Sequence, residues 1–221
     1  MVKEKITVKR GVKYLSEVMD ELPKNCLFDK GKVGCGGTTI ALKDNENTVI
    51  AVPFISLINS KVSQIENVLG VYGDVDNETI ENYLSNESIS VKKIMVTYDS
   101  IERLLDFINP SDYNLLVDEY HLLFTQYSFR RAAVIRVLNN YKKFKSYTFM
   151  TATPLEDEFI LSELRELPIV KCDWEENIPV KVLNVKCDYT VEGAVFDIIK
   201  DFLSGKHTGN AYFFVNSLDF I

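Results

Sequence analysis

Leu115-Leu116-Val117-Asp118-Glu119-Tyr120-His121 is the stretch whose reading decides the fold. An apolar run ends in two adjacent carboxylates, with a histidine two residues later. Such a run reads as a strand buried on both faces of a parallel sheet, with Asp118 and Glu119 at its carboxyl end. Open α/β sheets hold their ligands at that end. Asp followed by Glu there suits nucleoside triphosphate hydrolysis: the Asp holds Mg²⁺ through its water shell and the Glu orients or deprotonates a water. A buried strand followed by a solvated acidic turn fits the same residues.

Outward from this run, short apolar segments alternate with helical patterns. Residues 48–53, 69–72, 93–98 and 146–150 read as strands. Residues 12–22, 58–69, 77–84, 100–108, 128–144 and 156–164 carry helical spacing. That alternation predicts an α/β fold, a mostly parallel sheet with helices on both faces. Its first domain is expected over residues 1–170. Residues 171–179, with acidic Asp173-Trp174-Glu175-Glu176, read as a linker. Residues 180–221 read as the beginning of a second domain, with strands at 180–185 and 211–215 around a helix at 191–203. About 45 residues is too few to bury a core alone, so the polypeptide reads as a piece of something longer.

Composition narrows the function. The chain is 46% hydrophobic and 26% charged, with a net charge of −7. That balance argues against coating nucleic acid by bulk charge but leaves room for a local groove. No apolar run reaches about 18 residues, so no membrane-spanning helix is expected. Cys26, Cys35, Cys172 and Cys187 are scattered and read as reduced thiols of a cytoplasmic protein.

Val33-Gly34-Cys35-Gly36-Gly37-Thr38-Thr39 resembles a phosphate-binding P-loop opening a helix. Its glycines let backbone N–H groups converge on phosphate oxygens at a helix N-terminus. Thr38 would place its hydroxyl on Mg²⁺. The pattern departs at one position, because Gly37 stands where the P-loop lysine belongs. Lys30 and Lys32 lie just upstream. Lys32, two residues before Gly34, resembles the signature lysine of deviant P-loop ATPases. It is the first candidate to supply the missing charge, and Lys30 the second.

Together the motifs resemble a superfamily 2 helicase of the DExH type. Motif I resembles residues 33–39, and motif Ia resembles residues 49–57. Val96-Thr97-Tyr98-Asp99-Ser100 is similar to the segment that follows. Asp118-Glu119-Tyr120-His121 resembles motif II, Thr151-Ala152-Thr153-Pro154 motif III, and Phe213-Phe214-Val215-Asn216-Ser217 motif IV. Their order along the chain fits.

The resemblance implies a RecA-like P-loop NTPase fold, ATP and Mg²⁺ as cofactors, and DNA or RNA as partner through its backbone. It implies a nucleotide site of Lys30, Lys32, Gly34, Cys35, Gly36, Gly37, Thr38 and Thr39. Thr38 and Asp118 would hold the metal. Asp118, Glu119 and His121 would carry catalysis, and Thr151, Ala152 and Thr153 the coupling. Pro53, Ser56, Thr97, Tyr98 and Asp99 would contact nucleic acid. The family's arginine fingers would fall beyond Ile221, so slow hydrolysis by this chain alone is expected. The divergent loop resembles viral or mobile-element relatives. A RecA-like scaffold that binds nucleotide weakly is the rival reading. Arg130, Arg131 and Arg136, with Lys142, Lys143 and Lys145, read better as a solvated basic face than as a nucleic-acid site.

Overall fold

The computed structural model describes residues 2–176 and 190–207. The chain divides into two compact units, Met1–Asn177 and Ile178–Ile221.

Eight strands of the first unit form one sheet: β1 (Val2–Val8), β2 (Cys26–Asp29), β3 (Thr48–Val52), β4 (Val68–Val71), β5 (Lys93–Thr97), β6 (Asn114–Asp118), β7 (Ser146–Thr151) and β8 (Ile169–Trp174). The order is β1-β8-β2-β7-β6-β3-β5-β4, and every pairing is parallel. The helices of this unit are α1 (Gly37–Lys43), α2 (Ile55–Val62), α3 (Asn77–Ser85), α4 (Ile101–Leu104), α5 (His121–Thr125) and α6 (Tyr127–Asn140). They cover both faces. Val49, Ala51, Leu115 and Val117 pack toward α3, α4, α5 and α6, while Ile50, Val52 and Leu116 pack toward α1 and α2. All five residues of β3, β5 and β6 are buried. Each fully buried aliphatic side chain contributes about 1.5–3 kcal/mol, which holds these central strands in place.

Several expectations change at the periphery. Residues 171–174 are not linker: they belong to β8, which pairs with β1 and β2. Val170, Cys172 and Trp174 are buried at alternate positions, a period-2 pattern hidden among charges. Residues 2–8 form β1, a strand not expected. Residues 12–22 hold one 3₁₀ turn and residues 156–164 two, in place of the expected helices. The expected helix 128–144 is α6, which starts one residue earlier, ends at Asn140 and is kinked at Arg130. Cys26, Cys35 and Cys172 are free and buried, and burial pushes the Cys26 and Cys172 thiols up to about 12.

In the second unit, α7 (Val191–Leu203) matches the expected helix, capped by Thr190 accepting from the Gly193 N–H. The expected strands 180–185 and 211–215, the motif IV segment and Cys187 lie outside the described residues. Among the described residues no helix is long and apolar enough to cross a membrane.

Candidate nucleotide site

The strand order reverses beside β2, because the chain runs from β2 to β3 on the far side of β7 and β6 and returns to fill the gap. Carboxyl ends at such a switch point open a crevice. A cleft of about 520 Å³ lies there, lined by Lys30, residues 34–39, Asp118 and Glu119. A larger cleft of about 730 Å³ lies by the amino ends of β2 and β8 and brings together none of the motif residues. The motif residues therefore gather at the smaller one.

The loop after β2 is held by its backbone. The Lys30 N–H donates to the Thr151 carbonyl at 2.9 Å, and the Trp174 indole donates to the Lys30 carbonyl at 2.8 Å. Gly31 turns with φ +68, and a Cβ there would sit 3.0 Å from both the Cys172 oxygen and the Trp174 ring. Clamped on both sides, Lys30 sends its side chain into the cleft, 6% exposed. Lys32 goes elsewhere: its amine lies 4.8 Å above the Trp174 ring. Of the two upstream lysines, the second candidate enters the cleft and the first does not.

Gly37 lies beside the Lys30 side chain. A Cβ at this first residue of α1 would meet the Met150 sulfur at 2.5 Å and the Lys30 Cδ at 3.7 Å. The space beside position 37 is filled by Met150, fully buried, and by the Lys30 stem. A side chain at position 37 would clash with Met150 and lie at ordinary contact distance from the Lys30 stem.

At the end of β6, Asp118 is buried and its Oδ2 accepts from the Thr38 hydroxyl at 2.7 Å. The Lys30 amine lies 3.4 Å from Asp118 Oδ1 and 3.2 Å from Glu119 Oε1. Burial alone would lower the Lys30 pKa, but the Asp118 and Glu119 charges outweigh it and the net shift is upward. Lys30 is therefore cationic. Glu119 adopts φ +55, a left-handed conformation costly for a residue with a Cβ, and its N–H donates to Asp118 Oδ1 at 3.0 Å. Tyr98, fully buried, donates its hydroxyl to the Asp118 carbonyl.

Glu119 also faces the Thr151 turn. His121 Nδ1 lies 2.8 Å from the Thr151 hydroxyl and 3.4 Å from Glu119 Oε2. Burial lowers the His121 pKa more than Glu119 raises it, so the ring is held neutral. Thr151 is fully buried, and its hydroxyl accepts from the Thr153 N–H at 3.0 Å. One hydroxyl thus serves the turn and meets the histidine. Ala152 is partly exposed and Thr153 exposed at the turn.

The five candidate nucleic-acid residues separate. Ser56 and Asp99 are exposed, whereas Pro53, Thr97 and Tyr98 are buried. The Thr97 hydroxyl donates to Ser100 at 3.1 Å, and Tyr98 supports Asp118 as described. At Thr97 and Tyr98, β5 and its 3₁₀ turn fold the side chains inward. Arg130, read from sequence as part of a solvated face, instead bridges two motifs. It donates to the Pro53 carbonyl at 2.7 Å and pairs with the Asp99 carboxylate. The kink at Arg130 (φ −121) accompanies this bridge, and a helical periodicity gives no sign of it.

Sequence reasoning also missed Tyr14 and Lys61, which line the same cleft. Neither belongs to a motif, and both arrive from distant elements.

No family model matches this chain, and no curated protein matches it. Among solved structures it is similar to the crystal structure of the Pyrococcus furiosus Hef helicase domain, with a TM-score of 0.55 at 19% identity. The likeness covers 75% of this chain and 38% of that one, so the chain spans well under half the length of its neighbour. The fold is the RecA-like α/β fold of a helicase domain.

Proposed function

We propose that the cleft binds ATP with Mg²⁺ and that the chain serves as the nucleotide-binding module of a superfamily 2 helicase or translocase. The observation that carries this reading is the Lys30 amine beside Asp118 and Glu119, with its stem packed against the place of the missing Gly37 side chain. The donor set fits the group: the glycine loop opens a helix N-terminus, and a hydroxyl and a carboxylate lie 2.7 Å apart. Mg²⁺, when bound, would supply charge that offsets the phosphates.

Thr38 and Asp118 would hold the metal. Lys30 would pivot from the carboxylates to the phosphates. Glu119 would orient the hydrolytic water and take its proton. His121 would carry the state of Glu119 to the Thr151–Thr153 turn. Ser56 and Asp99, exposed beside the Arg130 bridge, would face a nucleic-acid backbone with little preference for sequence.

Nucleic-acid-stimulated ATP hydrolysis by the full-length protein tests this reading, wild type against Glu119→Gln. Loss in the variant, by at least about a hundredfold, is expected. Equal rates in the two would favour the scaffold reading, to which the Gly37 departure points.

A further inference from the structure

Lys30, Lys43 and Lys61 line the cleft, and of these Lys61 comes from α2, outside every motif. Its position follows from packing. Gly70 in β4 has no side chain, and a Cβ there would sit 2.6 Å from Ile58 Cγ2, so α2 lies close on the sheet with Ile58 fully buried. Leu57 and Lys61, four residues apart on that helix, share a face, and both line the cleft. The Lys61 amine donates to the Thr39 hydroxyl at 3.3 Å. Thr39 follows Thr38, whose hydroxyl reaches Asp118.

We propose that Lys61 is a second phosphate-binding lysine, contributed by α2 to the triphosphate of a bound nucleotide. Lys61 is half-buried, and among the described residues no carboxylate pairs with it. An ammonium has three donors, and Thr39 takes one. Lys30, by contrast, is shared between two carboxylates. With Gly37 in the usual lysine position, Lys30 alone faces both the carboxylates and the incoming phosphates. A free cation next to the first turn of α1 adds the charge that the loop lacks. The inference rests on the reading that the cleft takes ATP.

Calorimetric titration of the chain with MgATP and with adenosine tests it, using wild type, Lys61→Ala, Lys61→Arg and Lys61→Gln. Loss of a charge-assisted hydrogen bond weakens binding about tenfold. That loss is expected for MgATP with Lys61→Ala and Lys61→Gln, while Lys61→Arg stays close to wild type and adenosine binding does not change. Lys61→Gln keeps a donor for Thr39 without the charge, so full MgATP affinity in that variant would make Lys61 a strut between helices and overturn the proposal. Wild-type affinity in Lys61→Ala, or an equal loss for adenosine, would also overturn it. A wild-type chain that binds no MgATP would defeat the nucleotide reading itself, and the role of Lys61 with it.

Discussion

Two lysines are buried in this sheet, one at each end, and they are held differently. Lys93 starts β5 at the amino end and is 5% exposed; Lys30 follows β2 at the carboxyl end and is 6% exposed. The Lys93 amine contacts Asp44 at 2.5 Å, the carbonyls of Ala41 and Glu46 at 2.8 and 2.6 Å, and the Thr48 hydroxyl at 3.2 Å. That exceeds its three donors, so nothing remains for a ligand. Burial still lowers its pKa against the pull of Asp44, whereas the two carboxylates beside Lys30 win over burial. Lys30 has only two contacts, both of 3.2 Å or more, and it faces an open cleft. Burial alone therefore does not separate a structural lysine from one proposed to bind phosphate. Saturation does: a saturated amine pins the α1–β3 turn, and an undersaturated one between carboxylates is poised to change partners.

Breaking the pin should have the largest effect on stability. Lys93→Met leaves Asp44 and two carbonyls without their cation, a loss of about 3 kcal/mol by urea unfolding. Lys30→Met should cost less, because Asp118 keeps the Thr38 hydroxyl and the Glu119 N–H, and the cleft admits water. Equal or reversed losses would erase the contrast. Next in size is Gly37→Lys, which restores the usual P-loop residue. Met150 must move to admit it, at about 1–2 kcal/mol, and no gain in MgATP affinity is expected in the wild-type background. Added to Lys30→Ala, the same change should recover affinity, since one lysine then replaces the other. Independent, additive effects would break the idea that one lysine replaces the other.

The smallest effect is pH-dependent and belongs to the amino end. Glu46 accepts from Asn114 and pairs with Lys24 and Lys145 at 3.3 and 3.4 Å. The Asn114 hydrogen bond leads in holding its pKa down to about 2, from an ordinary 4.5, against burial. A depressed carboxyl contributes its full stability above pH 4.5 and loses it as pH falls toward 2. Glu46→Gln should therefore be less stable than wild type above that window and match it at its acid end. A constant difference across the window would rule out the titration.

The central sheet was legible because β3, β5, β6 and β7 are apolar on both faces and end in distinctive residues. The first and last strands were not. β1 carries three successive charges, Lys3 to Lys5, β8 alternates charged with buried residues, and Pro168 with the acidic run after Asp173 imitated a linker. Thr38, Asp118, Glu119, His121 and Thr151 were found by motif, and the fold brings them together. Spacing favoured Lys32 over Lys30, but the turn at Gly31 and the Trp174 clamp decide which side chain enters, and both depend on β8. Lys61 and Arg130 act across 22 and 77 residues of sequence, between elements whose packing no local pattern encodes.

The claim that Lys30 stands in for the P-loop lysine is tested most directly by MgATP affinity in Lys30→Ala against Lys32→Ala. Lys30→Ala should bind about a hundredfold more weakly than wild type, through loss of a buried charged contact, while Lys32→Ala stays within about twofold because its amine rests on Trp174. Full affinity in Lys30→Ala, or a greater loss in Lys32→Ala, would contradict it.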